Sequence, residues 1–133
     1  MAGETSLATL LSSMSPQLNA GEYVFCTLGD GQLPAGLEIV GSFREQEGLT
    51  VIVERSRAEQ AGLNFDYVAA WITLNVHSAL EAVGLTAAFA TALGQARISC
   101  NVIAGYYHDH LFVGQVDAER AMQVLRDLAA NGE

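Results

Sequence analysis

Two histidines, an aspartate and a cysteine lie within the sixteen residues "ISCNVIAGYYHDHLFV", residues 98–113. In an extended chain His108 and His110 would point to one side and Asp109 to the other, and two imidazoles with a third ligand could bind a transition metal. The sequence supports no third ligand. The alternative is a β-hairpin whose tip is "GYYHDH", with Gly105 allowing tight backbone geometry. We predict the hairpin and no metal, and keep His108 and Asp109 as candidate ligand contacts.

A second candidate site lies in "LNVHSALEAVG", residues 74–84, which joins a predicted strand to a predicted helix. A helix N-terminus presents unpaired N–H groups and a partial positive charge, so its amides could hold a carboxylate without a cationic side chain. Gly84 would allow close approach, and short polar side chains could hold an amino group. The candidate residues are Asn75, His77, Ser78, Val83, Gly84 and Leu85. In the alternative reading, Ser78 only caps the helix and His77 is satisfied within the loop.

The remaining polar and thiol groups carry weaker signals. Asn101 lies in the middle of a predicted strand, either at an exposed edge or inside a site, and we include it among the ligand-binding candidates. Cys26 and Cys100 lie in apolar segments without a neighbouring base, which indicates buried free thiols. The sequence contains no GxSxG, HExxH, P-loop or GxGxxG motif, so we predict a protein that is not an enzyme and has no cofactor. A metal-dependent enzyme built on the histidines is the least favoured alternative.

The composition of the chain indicates which classes of binding partner to expect. The 133 residues carry 15 Asp and Glu against 6 Lys and Arg, a net charge of −9. Without a basic cluster, binding to nucleic acid or to an anionic membrane surface is not expected. No apolar run has the length of a membrane span, and residues 1–16 do not resemble a secretory signal, so we expect a cytoplasmic protein. Half of the residues are hydrophobic, which favours a homodimer that buries an apolar face.

Residue patterns predict the elements that must position these candidates. Apolar spacing predicts helices over residues 7–14, after the loop 75–81 and after Asp117. Strands are predicted at 22–28, 37–43, 49–53 and 67–76, in "ISCNVIA" and in "HLFVG", with a short helix at 57–61. Past residue 64 the order is strand, helix, strand, strand, helix, and the first half follows it less completely. The fold class expected is α+β, with two ferredoxin-like βαββαβ units, antiparallel sheets and helices on one face, divided as residues 1–63 and 64–133.

Four stretches carry a resemblance to a known family: "LNAGEYVFCTL", "REQEGLTVIV", "WITLNVHSALEAVGLTAAFATAL" and "ISCNVIAGYYHDHLFV". Over residues 6–130 the chain resembles the small bacterial proteins with tandem ACT domains, a family long of unknown function. The resemblance implies βαββαβ units that bind amino acids or other small metabolites, with the strand–helix loop as one wall of the site. It leads us to expect a stand-alone amino-acid-binding sensor. The alternative is a structural or partner-binding module whose ligand site is filled by side chains.

Overall fold

A computed structural model describes residues 7–76 and 84–131 of the chain. The helices are α1 (Leu7–Ser13), α2 (Arg55–Gln60), α3 (Leu85–Gln95) and α4 (Ala118–Asn131). The strands are β1 (Ser15–Leu18), β2 (Tyr23–Leu28), β3 (Gly41–Glu45), β4 (Gly48–Glu54), β5 (Val68–Asn75), β6 (Cys100–Ala104) and β7 (Asp109–Gly114). A short 3-10 turn over Gln115–Asp117 leads into α4. No helix within these described ranges is long and apolar enough to cross a membrane.

Contacts between Cα atoms divide the chain into two compact units. Unit 1 contains the described residues up to Asn19 and those from Ala70 onward, and unit 2 is Ala20–Ala69. The first helix and strand belong to unit 1 because α1 and β1 both pack against α4. The division at residues 63 and 64 refers to repeats in the sequence and stays a prediction.

In unit 1 the strands lie in the order β1-β5-β7-β6. β1 pairs antiparallel with β5, and β6 pairs antiparallel with β7. Helices α1, α3 and α4 pack on one face, where Ile72 of β5 and Leu111 of β7 are fully buried together with Phe89 of α3. This arrangement confirms the expected α+β class. Burial of these side chains is the main source of the unit's stability.

Strand β1 is the element that the sequence patterns missed. The sequence patterns predicted only the helix over residues 7–14 in this part of the chain, yet residues 15–18 form a strand that pairs with β5 alone among the described strands. Proline lacks an N–H donor and is tolerated on an edge strand. The four residues alternate too weakly to predict a strand, and their pairing with β5 comes from a segment more than fifty residues away.

In unit 2 the strands lie in the order β3-β4-β2, and Val68 and Ala69 continue it by pairing with the start of β2. The hairpin expected from 37–43 and 49–53 is present, although its first strand begins only at Gly41. Helix α2 begins two residues earlier than expected. Its buried Ala58 packs on Val24 and Val51, and the connection over residues 29–40 contains no helix. Unit 2 therefore has a smaller core than unit 1.

Candidate functional site

The start of α3 is the described part of the predicted strand–helix site. Gly84 is its N-cap residue, with φ +101°, and it makes no side-chain capping hydrogen bond. No acidic residue lies in the first turn of α3, so within the described residues its first amides have no acceptor from the cap side chain and no carboxylate in the same turn. An uncapped helix N-terminus carries a partial positive charge. The candidates His77, Ser78 and Val83 lie outside the described residues.

The other described residues of this segment have partners within unit 1. The side-chain amide of Asn75 donates to Gln17 Oε1 at 3.0 Å, across strands β5 and β1. The side chain of Leu85 is buried. A Cβ added to Gly84 would lie 3.2 Å from Leu7 Cδ2. Leu7 therefore forms an apolar wall beside Gly84, and a ligand could reach the α3 amides only from another direction.

The candidates in segment 98–113 belong to the β6–β7 hairpin. Asn101 is exposed on the edge strand β6, opposite Phe112, which is the edge position that the sequence left open. The turn is closed by Gly105 N–H, which donates to the His108 carbonyl oxygen at 2.9 Å. A Cβ at Gly105 would lie only 2.9 Å from that oxygen. The hairpin prediction is confirmed. Of the described candidates, Gly84 and Leu85 lie at the start of α3, Asn75 lies at the end of β5, and the others lie on this hairpin.

The ionisable groups of the hairpin are partly withdrawn from water. Burial raises the pKa of Asp109, while the charges of His110 and His108 act to lower it. Burial also raises the pKa of the Cys100 thiol to about 11, which keeps it protonated at neutral pH and disfavours a nucleophilic role. The His108 Nδ1 atom is buried and has no hydrogen-bond partner among the described residues. Across those residues, no group of three or more His, Cys, Asp or Glu side chains is placed to hold a metal ion.

Sequence reasoning missed a polar network on the sheet face of unit 1 that lies opposite the core side chains of β5 and β7. Trp71 Nε1 donates to His110 Nδ1 at 3.1 Å, and Thr73 Oγ1 lies 3.2 Å from the same nitrogen. The Asn19 side chain donates to Thr73 Oγ1 at 3.0 Å and to the Trp71 carbonyl oxygen at 3.1 Å. The only available signal was the alternation of Trp71 and Thr73 on one strand face. The four partners come from three distant segments, so no local pattern could have joined them.

This network determines the tautomer and the protonation state of His110. An indole N–H can only donate, so Nδ1 of His110 must accept, and the neutral ring carries its proton on Nε2. Burial is the main cause that lowers the pKa of His110; the charge of His108 lowers it further and Asp109 opposes both. At neutral pH His110 is therefore a hydrogen-bond acceptor inside the sheet face and not a cationic ligand contact.

Comparison with known proteins adds two family matches. A model of the ACT domain matches residues 2–70, and a second ACT-domain model matches residues 67–127. No curated protein matches the chain.

Solved structures extend the comparison. A protein of unknown function from Vibrio cholerae, described as a possible transport protein, is 55% identical over 92% of this chain and 95% of its own, with a TM-score of 0.84. A protein from Agrobacterium tumefaciens is 20% identical, covering 87% of this chain and 89% of its own, with a TM-score of 0.68. The regulatory subunit of aspartate kinase from Thermus thermophilus is 8% identical, covering 85% and 95%, with a TM-score of 0.58. The last two likenesses show the fold alone.

Proposed function

This chain belongs to the ACT-domain family, and on that premise we propose that it is a stand-alone regulatory protein that binds a small metabolite, an amino acid being the first candidate. The uncapped N-terminus of α3 is the observation that carries the proposal. Its amides can hold a carboxylate, the group that every amino acid presents. Asn75, His77, Ser78 and the amides of Val83, Gly84 and Leu85 form the proposed site, with Asn101, His108 and Asp109 as further candidate contacts.

Regulation requires that the ligand bind one state of the protein better than another. We propose that these states differ in self-association, with a homodimer as the expected assembly, or in contact with a regulated partner. The aspartate kinase regulatory subunit shares the fold of this chain, which supports a regulatory role without naming the ligand.

The alternative is a partner-binding module whose ligand site is filled. The close approach of Leu7 to Gly84 favours this alternative, because an apolar side chain occupies one side of the glycine that would admit the ligand. The two functions differ in whether a free amino acid stabilises the purified protein.

Thermal unfolding in the presence of each of the twenty amino acids tests the proposal. A ligand that binds only the folded state adds about 2.7 kcal/mol at one hundred times its Kd, which raises Tm by several degrees. A flat panel would contradict amino-acid binding and favour the partner-binding module.

A pair of substitutions on one helix locates the site. Thr86 and Thr91 are both exposed on α3, the first in its opening turn and the second beyond it. Thr86→Glu places a carboxylate beside the first-turn amides of α3. It should raise the free energy of unfolding by about 0.3–1 kcal/mol and should abolish the ligand-induced shift in Tm. Thr91→Glu adds the same charge and should preserve the shift. If both variants respond to ligand like the parent protein, the site is not at the start of α3.

A further inference from the structure

Unit 2 contains an open cleft of about 510 Å³, and none of its lining residues is among the candidates described above. This volume lies within the range of small-molecule sites. The residues that give the cleft its chemistry are Phe25, Thr27, Glu45, Thr50, Phe65 and Asp66. They come from strands β2, β3 and β4 and from the segment that follows α2.

The cleft exists because strand pairing in unit 2 stops early. Val68 and Ala69 pair with β2 only at Val24 and Tyr23. From Cys26 onward, no strand of the described chain pairs with the edge of β2 that faces away from β4. Alternate backbone N–H and C=O groups on such an edge point outward and can accept or donate hydrogen bonds. One wall of the cleft therefore offers backbone polar groups as well as side chains.

The charged groups of the cleft are acidic. Glu45 and Asp66 line it, and its lining contains no Lys, Arg or His. The Thr50 hydroxyl donates to Glu45 Oε1, which orients that carboxylate toward the strand pair. On the opposing strand Thr27 is the direct neighbour of Thr50, so two hydroxyls lie side by side in this part of the cleft.

A nearby cation is already engaged elsewhere. The Arg55 guanidinium lies 5.6 Å from the centre of the Phe65 ring, where it stacks on that aromatic side chain. It also forms ion pairs with Glu22 at 3.0 Å and with Glu59 at 3.3 Å. Arg55 is therefore held by Glu22 and Glu59, and neither of these ion pairs involves an acidic group of the cleft.

The apolar part of the lining consists of aromatic rings. Phe25 and Phe65 are both half-buried, and Phe25 packs on Tyr67 with ring centres 6.3 Å apart. Aromatic rings beside carboxylates are suited to a cation with an aliphatic body, because the ring faces attract positive charge and the methylene groups are removed from water. The chain's net charge of −9 also raises the local concentration of cations.

We propose that this cleft binds an aliphatic ammonium compound. One ammonium group pairs with Glu45 and Asp66, and the hydrocarbon chain lies against Phe25 and Phe65. This site is separate from the proposed amino-acid site, and it requires no carboxylate on the ligand.

Titration calorimetry with 1,5-diaminopentane at constant ionic strength tests the proposal. Pentane-1,5-diol and pentanoate serve as neutral and anionic probes of the same length. Saturable binding of the diamine alone is the expected result. No saturable binding of the diamine, or equal binding of the diol, would overturn the proposal.

Matched charge substitutions separate this cleft from general attraction to an acidic protein. Glu45→Gln keeps an acceptor for Thr50, and it and Asp66→Asn should each weaken diamine binding about three- to fivefold, as expected for a partly exposed ion pair. Glu47→Gln removes the same charge from the exposed β3–β4 turn, outside the cleft, and should leave affinity unchanged. An equal effect of Glu47→Gln, or full binding by the Glu45→Gln, Asp66→Asn double variant, would overturn the assignment. These outcomes are independent of the Thr86→Glu and Thr91→Glu variants, which probe the start of α3.

Discussion

The two compact units of this chain differ in how their strands are covered by helices. Unit 1 covers one face with α1, α3 and α4, and the fully buried Phe89, Leu93 and Leu125 come from two of these helices. Unit 2 has the six-residue α2 as its described helix, and the connection over residues 29–40 lies where the repeat pattern would lead one to expect another helix. The difference shows how one repeat pattern can give a large core in one unit and a small one in the other.

Among the described residues, unit 2 has more ion pairs than unit 1. Arg55 and Arg57 each form two ion pairs, and all four pairs lie within this unit. Exposed ion pairs contribute little stability each, so they do not replace a missing helix. The result is a unit with less buried apolar surface and with an open cleft, which suits binding better than it suits stability.

The largest effect that tests this comparison is the loss of a core leucine from each unit. Leu111 of β7 is fully buried in unit 1, and Leu49 of β4 is 7% exposed in unit 2. Truncation of a buried leucine to alanine costs about 2–5 kcal/mol, depending on how tightly the site is packed. We expect Leu111→Ala near the top of that range and Leu49→Ala near the bottom, measured by urea unfolding. Equal losses would show that the smaller core is packed as tightly as the larger one.

Hairpin glycines give the next effect. Gly48 has φ +154°, and a Cβ there would lie 2.7 Å from the Leu28 carbonyl oxygen on the neighbouring strand β2. Gly48→Ala should therefore cost about 1–3 kcal/mol, since both strain and a backbone clash must be accommodated. At Gly105 the obstacle is the His108 carbonyl of the same four-residue turn, which can shift more easily than a paired strand. We expect a smaller decrease in Tm for Gly105→Ala, and the reverse order would contradict this account.

Much of the fold could be predicted from the sequence because its signals are local. The strand at 67–76 and the hairpin around "GYYHDH" follow from β-branched and aromatic runs bounded by turn residues, and both are present as β5 and as the β6–β7 hairpin. Strand β1 could not be predicted, because "SPQL" acquires its strand conformation from pairing with β5. Local propensity does not encode a partner more than fifty residues away.

The candidate sites show the same limit more strongly. A strand-to-helix segment containing Gly84 can be recognised from sequence, since glycine and the following apolar periodicity mark the start of α3. The approach of Leu7 to Gly84 could not, because it depends on how α1 packs in unit 1. Nor could the pairing of Trp71 with His110 be seen, since thirty-nine positions separate the two residues.

The smallest expected effect is the dependence of stability on pH. It also distinguishes the two units, because residues 20–69 contain no histidine. In unit 1 burial lowers the pKa of His110 below its ordinary value near 6.5. The folded state then binds this proton less readily than the unfolded state. The stability that neutral His110 contributes is therefore fully present above pH 6.5 and is lost as the pH falls through the pKa of the folded state. The pKa of Asp109 is raised from 3.8, so its effect on stability lies in a more acidic range and has the opposite sign, with stability increasing as the pH falls. We therefore expect the thermal unfolding midpoint to decrease as the pH is lowered from 7.5 to 5.5.

Two histidine variants and one fluorophore isolate this contribution. His110→Gln keeps a neutral acceptor near Trp71 and should flatten the dependence of the midpoint over that pH interval. His108→Gln removes only the smaller cause of the lowered pKa of His110 and should retain most of the dependence. Trp71 is the only tryptophan of the chain, and its N–H donates directly to His110. Its fluorescence in the folded protein should therefore change with pH, with a midpoint below 6.5. This transition should be absent in His110→Gln. A midpoint at or above 6.5, or an unchanged slope in His110→Gln, would mean that the network does not hold the neutral ring. The acid sensitivity would then have to arise from another group, and the contrast between a histidine-bearing unit 1 and a histidine-free unit 2 would have no consequence for stability.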